Sequence, residues 1–157
     1  MAVAGPIHRV LVLCYGNIYR SPLVAHLMDE KSQLEDLQIR SAGFYDKTGR
    51  SCVDEYQQLL MHRGYDLSAH RSSRITQQDI QWAELIVIMD RKNWDRLYEM
   101  NAQALRKTVW IGGFSEHDSV EVADPYGRDE RETQQVIDQL ERHTQEILER
   151  IYLSRKT

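Results

Sequence analysis

Within twenty residues, RVLVLCYGNIYRSPLVAHLM passes from a strand pattern to a helix pattern across one short polar loop. Residues 9–14, RVLVLC, are dense in β-branched and leucine side chains, as in a strand buried on both faces. Ser21 is placed to cap the helix that follows, and Pro22 suits its first turn, where no amide donor is needed. Leu23, Val24, Leu27 and Met28 then share one apolar face. A buried strand that feeds directly into a helix pairs in parallel with its neighbours, because the helix returns the chain to the starting edge of the sheet. The α/β class follows.

The rest of the chain repeats the alternation. LQIRSAG at 37–43 reads as a second strand ending at Gly43, and 44–51 as an exposed loop. Residues 52–63 predict a helix with Val53, Tyr56, Leu59 and Leu60 inward, stopped by Gly64. Thr76 and Asp79 have the spacing of a capping box, and the helix they open leads into ELIVIMD at 84–90, a third strand. A helix over about 91–105 precedes a fourth strand candidate in TVWIGGF, and a last helix covers about 129–152 with Val136, Ile137, Leu140, Ile147, Leu148 and Ile151 buried. The 157 residues form one α/β domain, long enough to bury a core without disulfides or a structural metal. In such folds ligands bind beyond the carboxyl ends of the strands, which is where the loop after Cys14 lies.

Several classes are excluded. The net charge is −4, with acid concentrated in the second half, so no basic stripe is available for nucleic acid. Cys14 and Cys52 sit in neither a CxxC nor a Cys/His zinc spacing, and a reducing cytoplasm suits two free thiols. The first residues lack a signal-peptide pattern, and no apolar stretch is long enough for membrane insertion. A soluble cytoplasmic protein is expected.

The loop has a chemistry of its own. Between strand and helix, successive N–H groups can converge into an anion cup continued by the positive end of the helix. Arg20 would grip two oxygens of a bound phosphate with a planar fork, and Cys14 would lie at the bottom as a thiolate nucleophile. Ser21 can donate a hydroxyl to that sulfur, and Gly16 and Asn17 both tolerate the left-handed backbone that converging amides require. In VADPYGRDE, residues 122–130, Asp124 is held out of helix by Pro125 and can project over the phosphate as a proton donor. Taken singly, Cys14 also suits a small buried side chain, Arg20 a solvated one, and Asp124 an ordinary turn before a helix. It is the spacing CxxxxxRS between a strand and a helix that points to phosphoryl chemistry.

CYGNIYRSP at 14–22 and DPYG at 124–127 together resemble the low-molecular-weight protein tyrosine phosphatases. SAG at 41–43, GRS at 49–51, LSAHRSSRIT at 67–76 and IVIMDRKN at 86–93 extend the resemblance in family order. It implies a four-stranded parallel sheet with flanking helices, no metal and no cofactor. It also implies a phosphocysteine mechanism in which Cys14 is the nucleophile, Arg20 binds phosphate, and Asp124 protonates the tyrosyl oxygen and later activates water. Tyr15, Gly16, Asn17, Ile18, Tyr19 and Ser21 would line or shape the phosphate loop, with His70 and Ser41 supporting it. The implied partner is a phosphotyrosine protein, in a bacterium a tyrosine kinase of surface-polysaccharide export. Because Cys14 must be ionised while Asp124 is protonated, a pH profile with two limbs is expected.

Two departures matter. Many members carry a second cysteine where this chain has Tyr19, so an oxidised Cys14 loses its adjacent partner. The Tyr19 ring is expected to turn into a neighbouring packing site. Alignment puts Lys47 near an aromatic wall of the substrate pocket, with Phe44 and Tyr45 as substitutes and Tyr126 as the opposite wall. If Lys47 occupied the wall, acidic peptides or small esters would be favoured. Three other readings stay open: a non-catalytic phosphate or phosphotyrosine binder, which has no need of Asp124; an arsenate reductase, which needs cysteines beyond Cys52; and a sugar-transport phosphocarrier.

Overall fold

The computed structural model describes residues 5–156. Four strands, β1 (Arg9–Cys14), β2 (Gln38–Gly43), β3 (Leu85–Ile88) and β4 (Thr108–Trp110), form one parallel sheet in the order β2-β1-β3-β4. Five α-helices connect and cover them: α1 (Arg20–Lys31), α2 (Asp54–His62), α3 (Gln77–Trp82), α4 (Arg91–Met100) and α5 (Glu130–Ser154). From β1 the chain moves outward to β2, then returns across β1 to β3. The loop after β1 therefore opens at the point where the winding reverses, the crevice that such sheets offer to ligands.

The two-residue period of the central strands divides the core. Val10, Val12 and Cys14 of β1 join Leu85 and Val87 of β3 on the face covered by α1 and α5. Leu11 and Leu13 join Ile86 and Ile88 on the face covered by α3 and α4. Both faces are apolar, as a sheet between two helical layers requires.

Several boundaries differ from the sequence expectation, among them the third strand, which ends at Ile88 rather than at 90. Helix α1 begins at Arg20, with Tyr19 at the cap position and no side-chain cap, so Ser21 lies inside the helix and its hydroxyl is directed elsewhere. The helix expected over 91–105 ends at Met100, where the Asn101 side chain accepts from the Gln103 N–H and restarts the chain as a 3₁₀ turn over Ala102–Lys107. Strand β4 stops at Trp110 because Gly113 turns back onto the Trp110 carbonyl and Gly112 bonds to Val120. Helix α2 is shorter at its start, leaving Cys52 and Val53 in the preceding segment. The Thr76/Asp79 capping box forms as the spacing predicts.

Candidate active site

Cys14, the last residue of β1, is buried and points its sulfur into the loop. The Asn17 N–H donates to Cys14 Sγ at 3.2 Å, and the Ser21 hydroxyl lies 3.0 Å from the same sulfur. Asn17 is the hub. It has φ +56°, and its side chain donates to Ser21 Oγ at 2.8 Å and Ser41 Oγ at 3.0 Å while accepting from the Ser73 N–H at 2.9 Å. The Asn17 carbonyl accepts from His70 Nε2 at 2.8 Å, which fixes the tautomer of that imidazole. An asparagine can hold the left-handed conformation at little cost, and here every polar atom of its side chain has a partner. Gly16 stays outside that region. Its role is size: a Cβ there would lie 3.3 Å from Arg50 Nη2.

Arg20 is 1% exposed and positioned from two other segments. Its Nη1 donates to Asp90 Oδ2 at 2.7 Å and to the Val122 carbonyl at 2.8 Å. Asp90 also caps α4 by accepting from the Asn93 N–H, so the carboxylate is held from behind. Val122 in turn donates its N–H to the Met89 carbonyl at the end of β3. The loop carrying Asp124 is thereby pinned beside Arg20, and Asp124 Oδ2 lies 3.7 Å from Arg20 Nη2. The other Asp124 oxygen accepts from the Tyr126 N–H at 3.0 Å, which keeps the carboxyl aimed across the pocket mouth.

The resulting pocket encloses about 370 Å³ and brings together Cys14, Tyr15, Gly16, Ile18, Tyr19, Arg20, Asp124 and Tyr126 from the sequence reading. Its aromatic wall is Tyr45. The Tyr45 ring packs 5.8 Å from Tyr15, and Arg50 stacks over it at 4.6 Å while donating to the Gly16 carbonyl at 2.9 Å. Lys47 does not line the pocket; it is exposed, and its carbonyl accepts from Arg50 Nε instead. Phe44 is no substitute either, because it is buried in the core on the α3 and α4 side. Tyr126 stands opposite, 72% exposed. Tyr19 turns edge-on to Tyr56 at 4.8 Å, in the packing site expected for it, while still lining the pocket. Burial raises its phenol pKa above the ordinary value, and the carboxylates of Asp124 and Glu55 raise it further. No three His, Cys, Asp or Glu side chains converge as a metal site among the described residues.

The family model described as low molecular weight phosphotyrosine protein phosphatase matches residues 9–156. The chain belongs to this family. A protein-arginine-phosphatase of Geobacillus stearothermophilus is 32% identical over 142 residues, covering 85% of this chain and 93% of that protein. The low molecular weight protein-tyrosine-phosphatase Ptp of Acinetobacter johnsonii is 33% identical over 122 residues, covering 77% and 82%. Among solved structures, the Erwinia amylovora tyrosine phosphatase AmsI superposes with a TM-score of 0.83 at 27% identity, covering 91% of this chain and 92% of that one. The YwlE arginine phosphatase of Geobacillus stearothermophilus does so with 0.84 at 28%, covering 93% and 94%.

Two residues of this low molecular weight phosphatase escaped the sequence reading. Asp90 was visible only as the end of an apolar run, because its contact with Arg20 spans seventy positions. Arg50 lay inside the GRS landmark, but nothing local shows that its guanidinium reaches both the Tyr45 ring and the loop.

Proposed function

We propose that this chain hydrolyses phosphotyrosine in proteins through a phosphocysteine intermediate. The observation that carries the reading is the convergence, in one pocket, of the Cys14 sulfur, the Arg20 fork and the Asp124 carboxyl between tyrosine walls. In the first step the Cys14 thiolate attacks phosphorus in line with the tyrosyl oxygen; the S–P bond forms, the P–O bond breaks, and Asp124 gives its proton to the departing phenolate. In the second, the Asp124 carboxylate takes a proton from water as the water oxygen attacks phosphorus, and the Cys14 thiolate leaves with the Ser21 hydroxyl beside it. Arg20 and the loop amides bind the equatorial oxygens throughout. A non-catalytic binder would have no use for Asp124 held over the cup. The partner is then a phosphotyrosine-bearing protein, such as a tyrosine kinase in its phosphorylated state, and a cytoplasmic, reducing setting suits the free thiols.

The arginine-phosphatase relative makes phosphoarginine the rival substrate. The pocket lining favours tyrosine: Ile18 and four tyrosines suit a phenyl ring, while Arg50, stacked on Tyr45, adds a cation that would repel a guanidino group. Peptides of one sequence bearing either phosphotyrosine or phosphoarginine decide the matter, with Cys14→Ser as the blank. The expected kcat/KM favours phosphotyrosine by about tenfold or more. Faster turnover of phosphoarginine would replace the reading, and activity surviving Cys14→Ser would remove the mechanism.

A further inference from the structure

Tyr19 is a wall with two sides. One lines the catalytic pocket, and the other lines a second cavity of about 360 Å³ between α2, Pro125 and the first turn of α5. Pro125 stands between Asp124 and Tyr126, so the two cavities share the DPY segment as well as the Tyr19 ring. The mechanism above uses only the first.

The lining of the second is amphipathic in a particular way. Val53, Tyr56, Leu59 and Pro125 give it apolar sides, while Glu55 and Glu130 contribute carboxylates. Glu55 lies close enough to the Tyr19 phenol to act on its ionisation. Neither Glu55 nor Glu130 has an ion-pair partner among the described residues, whereas the Arg128 guanidinium in the same lining is committed to Glu132 at 2.8 Å and to the Asp124 carbonyl at 2.9 Å. His62 also lines the cavity, and the two carboxylates without an ion-pair partner outnumber it. A lysine or arginine side chain matches this arrangement, with its aliphatic stem along apolar walls and its cationic head at two carboxylates. An extended peptide advances only about 3.3 Å per residue, so a side chain neighbouring a tyrosine seated in the first cavity can reach over Tyr19 into the second.

We infer that the cavity behind Tyr19 is a substrate subsite for a lysine or arginine close in sequence to the phosphorylated tyrosine, selected by Glu55 and Glu130. The inference rests on the phosphotyrosine reading. It makes Tyr19 the partition between the two subsites, a part that a cysteine at that position is too small to play.

The test uses phosphotyrosine peptides carrying Lys or Glu at each of the two positions on either side of the tyrosine. Their kcat/KM values are measured with the unaltered protein and with Glu55→Gln/Glu130→Gln, and para-nitrophenyl phosphate serves as the substrate too small to reach the second cavity. At one or more positions the unaltered protein should prefer Lys over Glu by about tenfold, and the ratio should fall to near one in the double variant. The same ratio in the unaltered protein should shrink as salt is raised, a readout that needs no variant. Equal turnover of the Lys and Glu peptides by the unaltered protein overturns the subsite alone, as does a preference that persists in the double variant. Failure to turn over any phosphotyrosine peptide while para-nitrophenyl phosphate is hydrolysed overturns the phosphotyrosine reading and the subsite with it.

Discussion

Asn17 shows how one side chain can set the geometry of a whole loop: its left-handed backbone aims its N–H at the Cys14 sulfur while its carboxamide ties Ser21, Ser41 and Ser73 together. His70 completes the support from outside, and its chemistry gives a pH dependence. Burial is the main reason its pKa lies below the ordinary histidine value; the bond to the Asn17 carbonyl opposes this, and Arg71 adds to it. The fold therefore prefers neutral imidazole, so this contribution to stability is complete above the unfolded histidine value of about 6.5 and declines as pH falls below it. His70→Gln keeps an amide donor but cannot titrate. Between about pH 7.5 and about pH 5.5 its melting temperature should fall less than that of the unaltered protein, and equal falls would contradict the assignment. A second expectation concerns the thiols. Burial, and after it the neighbouring Cys14 sulfur, pushes the Cys52 thiol up to about 12, so hardly any Cys52 thiolate is present to capture an oxidised Cys14. With Tyr19 in the adjacent position, prolonged peroxide should carry Cys14 past the reversible stage. Thiol reductant should then restore less than half the activity in both the unaltered protein and Cys52→Ala, and clearly more in Tyr19→Cys. Full recovery in Cys52→Ala would refute this.

At the scale of elements, the site is made where β1 ends, α1 begins and β2 closes beside them. Phe44 and Tyr45, just past β2, both donate to the Tyr15 carbonyl, which draws the end of β2 against the loop. Gly43 makes that approach feasible: a Cβ there would sit 2.6 Å from the Tyr15 carbonyl oxygen and 3.0 Å from the Asn17 backbone nitrogen. Backbone atoms cannot swing aside as a side chain would. Gly43→Ala should therefore destabilise the protein by about 2 kcal/mol in chemical denaturation and lower kcat/KM on para-nitrophenyl phosphate. Stability and activity both equal to the unaltered protein would show that the loop yields more easily than this contact indicates. These elements were largely legible beforehand, because apolar runs, the Thr76/Asp79 box and the Cys-to-Arg spacing are local signals. What was not legible is what depends on long-range closure. Ser21 reads as a cap from its neighbours, yet the cap position goes to Tyr19 because the Ser21 hydroxyl is taken by Cys14 and Asn17. Lys47 was placed by alignment across a loop whose path the local sequence does not determine, and Tyr45 with Arg50 forms the wall instead.

At the scale of the molecule, the cup draws on almost every layer. β1 supplies Cys14, α1 supplies Arg20 and Ser21, the end of β3 with the start of α4 supplies Asp90, and the segment before α5 supplies Val122 and Asp124. The Arg20 Nε is buried with no partner in the protein, so part of the guanidinium is left for an anion. A ligand that completes such a junction binds the folded chain and not the unfolded one, so it stabilises the whole domain by mass action. Inorganic phosphate at a hundred times its dissociation constant should contribute about 2.7 kcal/mol. For a chain of this length that corresponds to a rise in melting temperature of about 5 to 10 °C. Arg20→Lys keeps the charge but loses the planar fork that meets Asp90 and Val122 through Nη1 while leaving Nε for an anion. Its rise at the same phosphate concentration should be less than half as large, measured by calorimetry against equal ionic strength of chloride. An undiminished rise in Arg20→Lys would place the anion elsewhere on the surface and separate phosphate binding from the cup. A rise that vanishes in the variant and persists in Asp124→Asn would show that the cup binds phosphate through Arg20 without needing the proton donor, leaving Asp124 to act in the chemical steps alone.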